Sequence, residues 1–125
     1  MASVLMFNIR DIRKAEQLRI LSVRLDFACR EIPPDCQSIR ICDLLEGQSL
    51  GPAVPQPFTD EMLVMDGFSH PDLNFLLNEL IRTGNTITLK AVTTPVNREW
   101  TTSLLHARLV AENREMQSRS RGASR

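Results

Sequence analysis

The sequence specifies an α/β (α+β) fold: a ferredoxin-like β-α-β-β-α-β sheet of four strands with an extra C-terminal helix. Three observations predict it. The runs Val4–Phe7 and Met62–Met65 are continuously apolar, as strands covered on both faces are. The runs Phe27–Ile32 and Thr86–Thr94 mix apolar with polar residues, as edge strands do. Within each half of the chain, a stretch with apolar residues three or four apart separates the two runs. A four-stranded, fully parallel, doubly wound sheet is the alternative, with Ile39–Leu45 as a crossover helix.

The elements follow in order. Val4–Ile9 reads as strand one, and Asp11 can cap the helix behind it. Ile12, Ala15, Leu18, Leu21 and Leu25 form that helix's apolar stripe. Phe27–Ile32 is strand two, ended by Pro33 and Pro34, which cannot donate to a ladder. Ile39, Ile41, Leu44 and Leu45 predict a short helix closing near Gly47. Residues 47–57, with two glycines and three prolines, form a loop between two halves, 1–46 and 58–116. Met62–Met65 is strand three. Ser69 is a helix N-cap with Asp72 three residues on, Leu73, Leu76, Leu77, Leu80 and Ile81 make the apolar face, and Gly84 is the stop. In strand four Ile87, Leu89 and Ala91 share one side, and Thr88, Lys90 and Val92 the other. Asn97 then caps a final helix carrying Trp100, Leu104 and Ala111. Residues 1–116 form one domain, and residues 117–125 have nothing to bury and read as a disordered tail. Two strand-helix-strand units of similar length suggest an internal duplication of pattern.

Composition narrows the function classes. The chain of 125 residues is 42% hydrophobic and 24% charged, values of a globular domain. Its formal net charge is zero, so no long-range field draws nucleic acid or an anionic membrane to it. No apolar run approaches the ~18 residues of a membrane span. The apolar N-terminus lacks a basic leader and a small-residue cleavage site, so it reads as a strand rather than a signal peptide. Cys29, Cys36 and Cys42, odd in number and without a CxxC pair, read as reduced thiols of a cytoplasmic protein. Their spacing matches no zinc pattern, and neither a metal nor a cofactor is expected.

From Met62 the chain runs Met-Leu-Val-Met-Asp-Gly-Phe-Ser. From Leu89 it runs Leu-Lys-Ala-Val-Thr-Thr-Pro-Val-Asn-Arg-Glu-Trp. The segment Glu61–Glu115 resembles a bacterial family of small proteins described as domain of unknown function 3783. That family carries a Lys-Ala-Val-x-Thr-Pro-x-Asn-x-x-Trp signature followed by a charged helix. The resemblance implies no known activity. The final helix here is less acidic than the family's, and the arginine-rich tail is additional.

Read from its residues, the signature places a strand end at Thr93 and Thr94, a turn at Pro95 and a helix start at Asn97. Unpaired N–H groups at a helix start attract anions. With Lys90 on the strand and Arg98 in the first turn, the corner reads as an anion site of Lys90, Thr94, Asn97 and Arg98. The structural reading gives Asn97 to capping, Pro95 to the turn and Trp100 to the core. Capping explains neither Lys90 nor Arg98. Catalysis finds little support: Ser69, His70 and Asp72 are helix-cap neighbours that point apart, and His106 lies mid-helix. No glycine-rich phosphate loop exists among Gly47, Gly51, Gly67, Gly84 and Gly122. Nucleic-acid binding is disfavoured, because Phe7 and Phe68 are better used in the core and Arg119, Arg121 and Arg125 read as a solvated tail. The expectation is therefore a non-enzymatic ligand-binding or regulatory module, with a small anion as possible ligand. The open edge of strand four predicts pairing of two copies into a homo-oligomer.

Overall fold

The computed structural model describes residues 1–123, with side-chain surroundings for residues 1–118. The strands are β1 (Ala2–Phe7), β2 (Phe27–Ile32), β3 (Met62–Asp66) and β4 (Leu89–Val92). The helices are α1 (Ile12–Leu25), α2 (Ile41–Leu45), α3 (His70–Arg82) and α4 (Thr102–Ala123). Short 3₁₀ turns at Pro34–Cys36 and Asn97–Glu99 precede α2 and α4.

The four strands form one mixed sheet in the order β2-β1-β3-β4. β1 and β3 are the inner pair, where their unbroken apolar character places them. The topology differs from both expectations. A ferredoxin-like sheet inserts a strand between the two joined by each crossover. Here α1 joins the neighbours β1 and β2, α3 joins the neighbours β3 and β4, and both pairs are parallel. The fully parallel alternative fails at the centre, where β1 and β3 are antiparallel, with Val4 opposite Met65 and Leu5 opposite Val64. Burial on both faces marks a strand as inner but carries no information about its direction.

Alternation across the sheet feeds two cores. On one face Val4, Met6, Leu63 and Met65 pack against Leu18 and Leu21 of α1 and Leu76 and Leu80 of α3. On the other, Leu5, Phe7, Met62 and Val64 pack with Leu89 and Ala91 under Ile41, Leu44 and Leu105. β4 is shorter than expected. Thr86–Thr88 lie outside the ladder, so Ile87 turns to the α3 side while Leu89 and Ala91 face α4. The outer ends of two helical stripes also miss the core, with Ile12 79% and Ile81 65% exposed.

Local chemistry sets the boundaries. The Asp11 side chain accepts from the Arg13 N–H, and Ser69 Oγ accepts from the Asp72 N–H. After β3 the chain turns through Gly67 at φ +77°. There a Cβ would meet Ala2 Cα at 3.3 Å, so a side chain is strained by the conformation and crowded by the neighbouring backbone. α4 runs to Ala123, past Met116, where the ordered domain was expected to end. Residues 124–125 of the expected tail lie outside the described residues.

The two halves repeat one order: strand, helix, strand, 3₁₀ turn, helix. They meet again away from the sheet. Arg40 and Thr101 form an antiparallel bridge in which the Ile41 N–H donates to Trp100 O and the Thr102 N–H donates to Ile39 O, both at 3.0 Å. Each bridge residue stands immediately before the last helix of its half.

The connection into β3 is tied by polar groups. Buried Gln37 donates from Nε2 to Phe58 O at 3.1 Å and accepts the Phe58 N–H at 2.9 Å. Asn8, in the left-handed region at φ 58°, donates to Phe58 O and Asp60 O. Gln37→Ala leaves the Phe58 N–H without its acceptor. At about 1–3 kcal/mol for an unsatisfied buried group, the variant should lose roughly 2 kcal/mol in urea unfolding, with first proteolytic cleavage in residues 47–61. A loss under about 0.5 kcal/mol, the range of neutral surface changes, would refute the clamp.

Candidate functional site

The signature segment forms the corner where β4 leaves the sheet, and its backbone needs are met locally. Asn97 Oδ1 accepts the Thr94 N–H at 2.7 Å, and Thr94 Oγ1 accepts the Asn97 N–H at 3.0 Å. Asn97 Nδ2 donates to Val92 O at 3.1 Å. Asn97 therefore opens the 3₁₀ turn and not the last helix. α4 starts five residues later, where Thr101 Oγ1 accepts the Leu104 N–H. The expected convergence of a long helix's N–H groups on Thr94 does not occur.

Arg98 is held by an acid from β3. Its Nη1 lies 2.6 Å from Asp66 Oδ1, which also accepts from Thr93 Oγ1 at 2.5 Å. Thirty-two residues separate Asp66 from Arg98, and no local spacing announces the pair. The structure thus gathers Thr94, Asn97 and Arg98 at one corner, with Asp66 added.

Lys90 stands apart from them. Leu89 and Ala91 point toward α4, so Lys90 and Val92 point to the α3 side and are exposed. Lys90 Nζ donates to Ile87 O at 2.6 Å and takes part in no ion pair among the described residues. It lines a notch of about 130 Å³ between α3 and β4, walled by Leu77, Leu80, Ile81, Thr86 and Ile87. The sequence put Leu77, Leu80 and Ile81 on one helix face. That they border an edge strand depends on the strand order.

β4 is the last strand of the sheet. The Thr93 N–H donates to Met65 O at 3.0 Å. Main-chain groups alternate along a strand, so Ala91 faces β3, and the N–H and C=O of Lys90 and Val92 face away from it. Val92 O is taken by Asn97, which leaves the Lys90 N–H, Lys90 O and Val92 N–H along the open edge.

The residues weighed for catalysis are placed structurally. Ser69 caps α3 by accepting the Asp72 N–H, with His70 exposed beside it. His106 Nε2 lies 2.9 Å from Asp60 Oδ2, and its ring stacks on Phe58 at 3.8 Å. Phe7 is buried and Phe68 packs edge-on to Phe27, so neither offers a stacking platform for bases. The side chains of Arg119, Arg121 and Arg125 lie outside the described residues. No described helix is long and apolar enough to cross a membrane.

Residues 61–116 match the family model described as Domain of unknown function (DUF3783). The chain carries a DUF3783 domain. In this fold the DUF3783 segment comprises β3, α3, β4 and most of α4, so it holds the notch and the Asp66–Arg98 corner together. No curated protein and no solved structure matches the chain.

Cys29, Cys36 and Cys42 are free thiols. Burial pushes the Cys29 thiol up, Glu31 adds to the rise, and Arg19 opposes it. Burial and Asp35 likewise raise Cys36. Neither is a ready thiolate at neutral pH. Both folded thiols hold their protons to higher pH than the unfolded ones, so their contribution to stability is complete below the ordinary thiol value of about 8.5 and falls as pH rises through the folded values. The melting temperature should decline above about pH 8.5, and Cys29→Ala should flatten that decline. An unchanged slope in the variant would contradict the assignment.

Proposed function

We propose that the chain is a non-enzymatic interaction module that takes an extended partner segment along the free edge of β4. The observation that carries this reading is the outward-facing main chain of Lys90 and Val92, beside an apolar notch. Strand addition at such an edge gains affinity from main-chain hydrogen bonds and selectivity from neighbouring pockets. Three free groups on a short strand give a weak, reversible contact suited to a regulatory partner. A second copy of the chain is one donor of this kind. An antiparallel β4–β4 contact centred on Ala91 sets Lys90 across from Val92 and keeps the two lysines apart.

Val92→Pro tests this directly. It removes an N–H that points away from β3, a placement that edge strands tolerate. Short valine- and threonine-rich peptides with free ends, titrated into isotope-labelled full-length chain, should shift the Lys90 and Val92 amides in a saturable way. The Val92→Pro variant should melt within a few degrees of the parent and lose both this binding and any self-association seen by sedimentation. Shifts confined to other strands, or binding that survives in the variant, would set the reading aside.

A second reading keeps a small-anion site at the corner. Arg98 remains 37% exposed at the C-terminal ends of the parallel pair β3–β4, where ligands of α/β units gather. Thr94 and Asn97 flank it, and Lys90 would act only at a distance. Asp66 already neutralises Arg98, so Asp66→Asn should enlarge the phosphate-dependent rise in melting temperature and Arg98→Ala should abolish it. The same phosphate response in the parent and both variants would exclude this corner.

A further inference from the structure

The notch beside β4 combines three features that together select one kind of partner segment. Its walls are apolar: Ile87 is 0% and Leu80 2% exposed. Its volume of about 130 Å³ is close to the ~150 Å³ of a cavity that admits a benzene ring, so it accommodates one branched aliphatic side chain and little else. At its rim stands Lys90, an ammonium that meets only a backbone carbonyl, Ile87 O. Lysine has three N–H groups, and two remain for an incoming acceptor. The adjoining helix carries two acids: Glu79 is bonded to Arg82 at 2.6 Å, and Asp72 lies in the first turn of α3, at the opposite end from Ile81, which borders the notch.

The charge complement of an unpaired ammonium is a carboxylate. Because Lys90 lines the notch itself, that carboxylate must sit within a residue of the side chain that fills it. A chain end satisfies this most directly, since its last side chain and its carboxylate share one Cα. An internal Asp or Glu on the same strand face falls two residues away from the apolar side chain.

We propose that the α3–β4 notch binds the free C-terminus of an extended partner peptide that ends in an aliphatic residue. The last side chain fills the notch, the terminal carboxylate accepts from Lys90 Nζ, and the preceding main chain pairs with Lys90 and Val92. This inference rests on the strand-addition reading and names its partner class.

The test uses N-acetylated valine- and threonine-rich peptides ending in leucine, as free acids and as C-terminal amides, titrated into the full-length chain by calorimetry and amide shifts. The free acid should bind at least tenfold more tightly than the amide, and both should shift residues 87–92. Lys90→Met, which keeps the aliphatic stem, should lose the same factor for the acid and nothing further for the amide. Replacing the terminal leucine by glycine should weaken binding again. If acid and amide bind equally while both shift β4, the carboxylate assignment is overturned and strand addition stands. If no peptide shifts β4, both fail. A β4-dependent dimer that free-acid peptides do not displace would assign the edge to a second copy and overturn the proposal.

Discussion

Antiparallel pairing of β1 with β3 joins the two halves, and it places every other layer. Val4, Leu5, Met6 and Phe7 face Met65, Val64, Leu63 and Met62, and all eight are at most 4% exposed. None of these eight side chains faces water, so the sheet needs cover on both sides. α1 and α3 supply one cover, one helix from each half. α2, α4 and the segments before them supply the other. Truncating one such side chain costs about 2–5 kcal/mol against a total stability of roughly 5–15 kcal/mol for a domain. Neither half buries its inner strand alone.

The seam explains why a second contact between the halves lies so far from it in sequence. With β1 and β3 antiparallel, the chain leaves the sheet at opposite ends in the two halves and returns over the same face. The segments after β2 and after β4 then cross, and Arg40 meets Thr101. Thr102 and Gln37 are fully buried there, yet satisfied: Thr102 Oγ1 donates to Ile39 O, and Ser103 bonds to Gln37 O. This polar knot holds the start of α4, and through the turn at Asn97–Glu99 it holds the end of β4. The geometry of the edge strand is thus tied to the core by hydrogen bonds that break only at the cost of buried, unpaired groups.

Much of this was legible in the sequence. The apolar runs identified the inner strands, because burial on both faces leaves no room for alternation. Asp11 and Ser69 marked helix starts correctly, since capping is chemistry between near neighbours. Strand direction was not legible: a covered strand reads the same whether its neighbour runs parallel or antiparallel, and so the ferredoxin-like order was expected where β2-β1-β3-β4 is found. At the candidate site the local part was readable again. Asn97 does bond its near neighbours, the Thr94 N–H and Val92 O, though it caps neither the 3₁₀ turn nor α4. The partner of Arg98 was hidden, because Asp66 reaches it only through the pairing of β3 with β4. Lys90 was drawn toward Asn97 by sequence proximity, whereas the alternation of β4 turns it to the α3 side.

The exposed edge of β4 raises the question of why the chain does not aggregate through it, and the answer bears on what the edge can bind. Edges are protected by being short, by charge and by proline. β4 has four residues, Lys90 faces outward at its centre, and Pro95 follows within three residues of Val92. Asn97 further occupies Val92 O. What survives is a segment too short to template a long strand and too positive to favour an unselected apolar one. The same lysine that repels casual pairing rewards a strand that brings a carboxylate to it. At this edge protection and selectivity are one property, set by a cation whose ammonium meets only the Ile87 carbonyl.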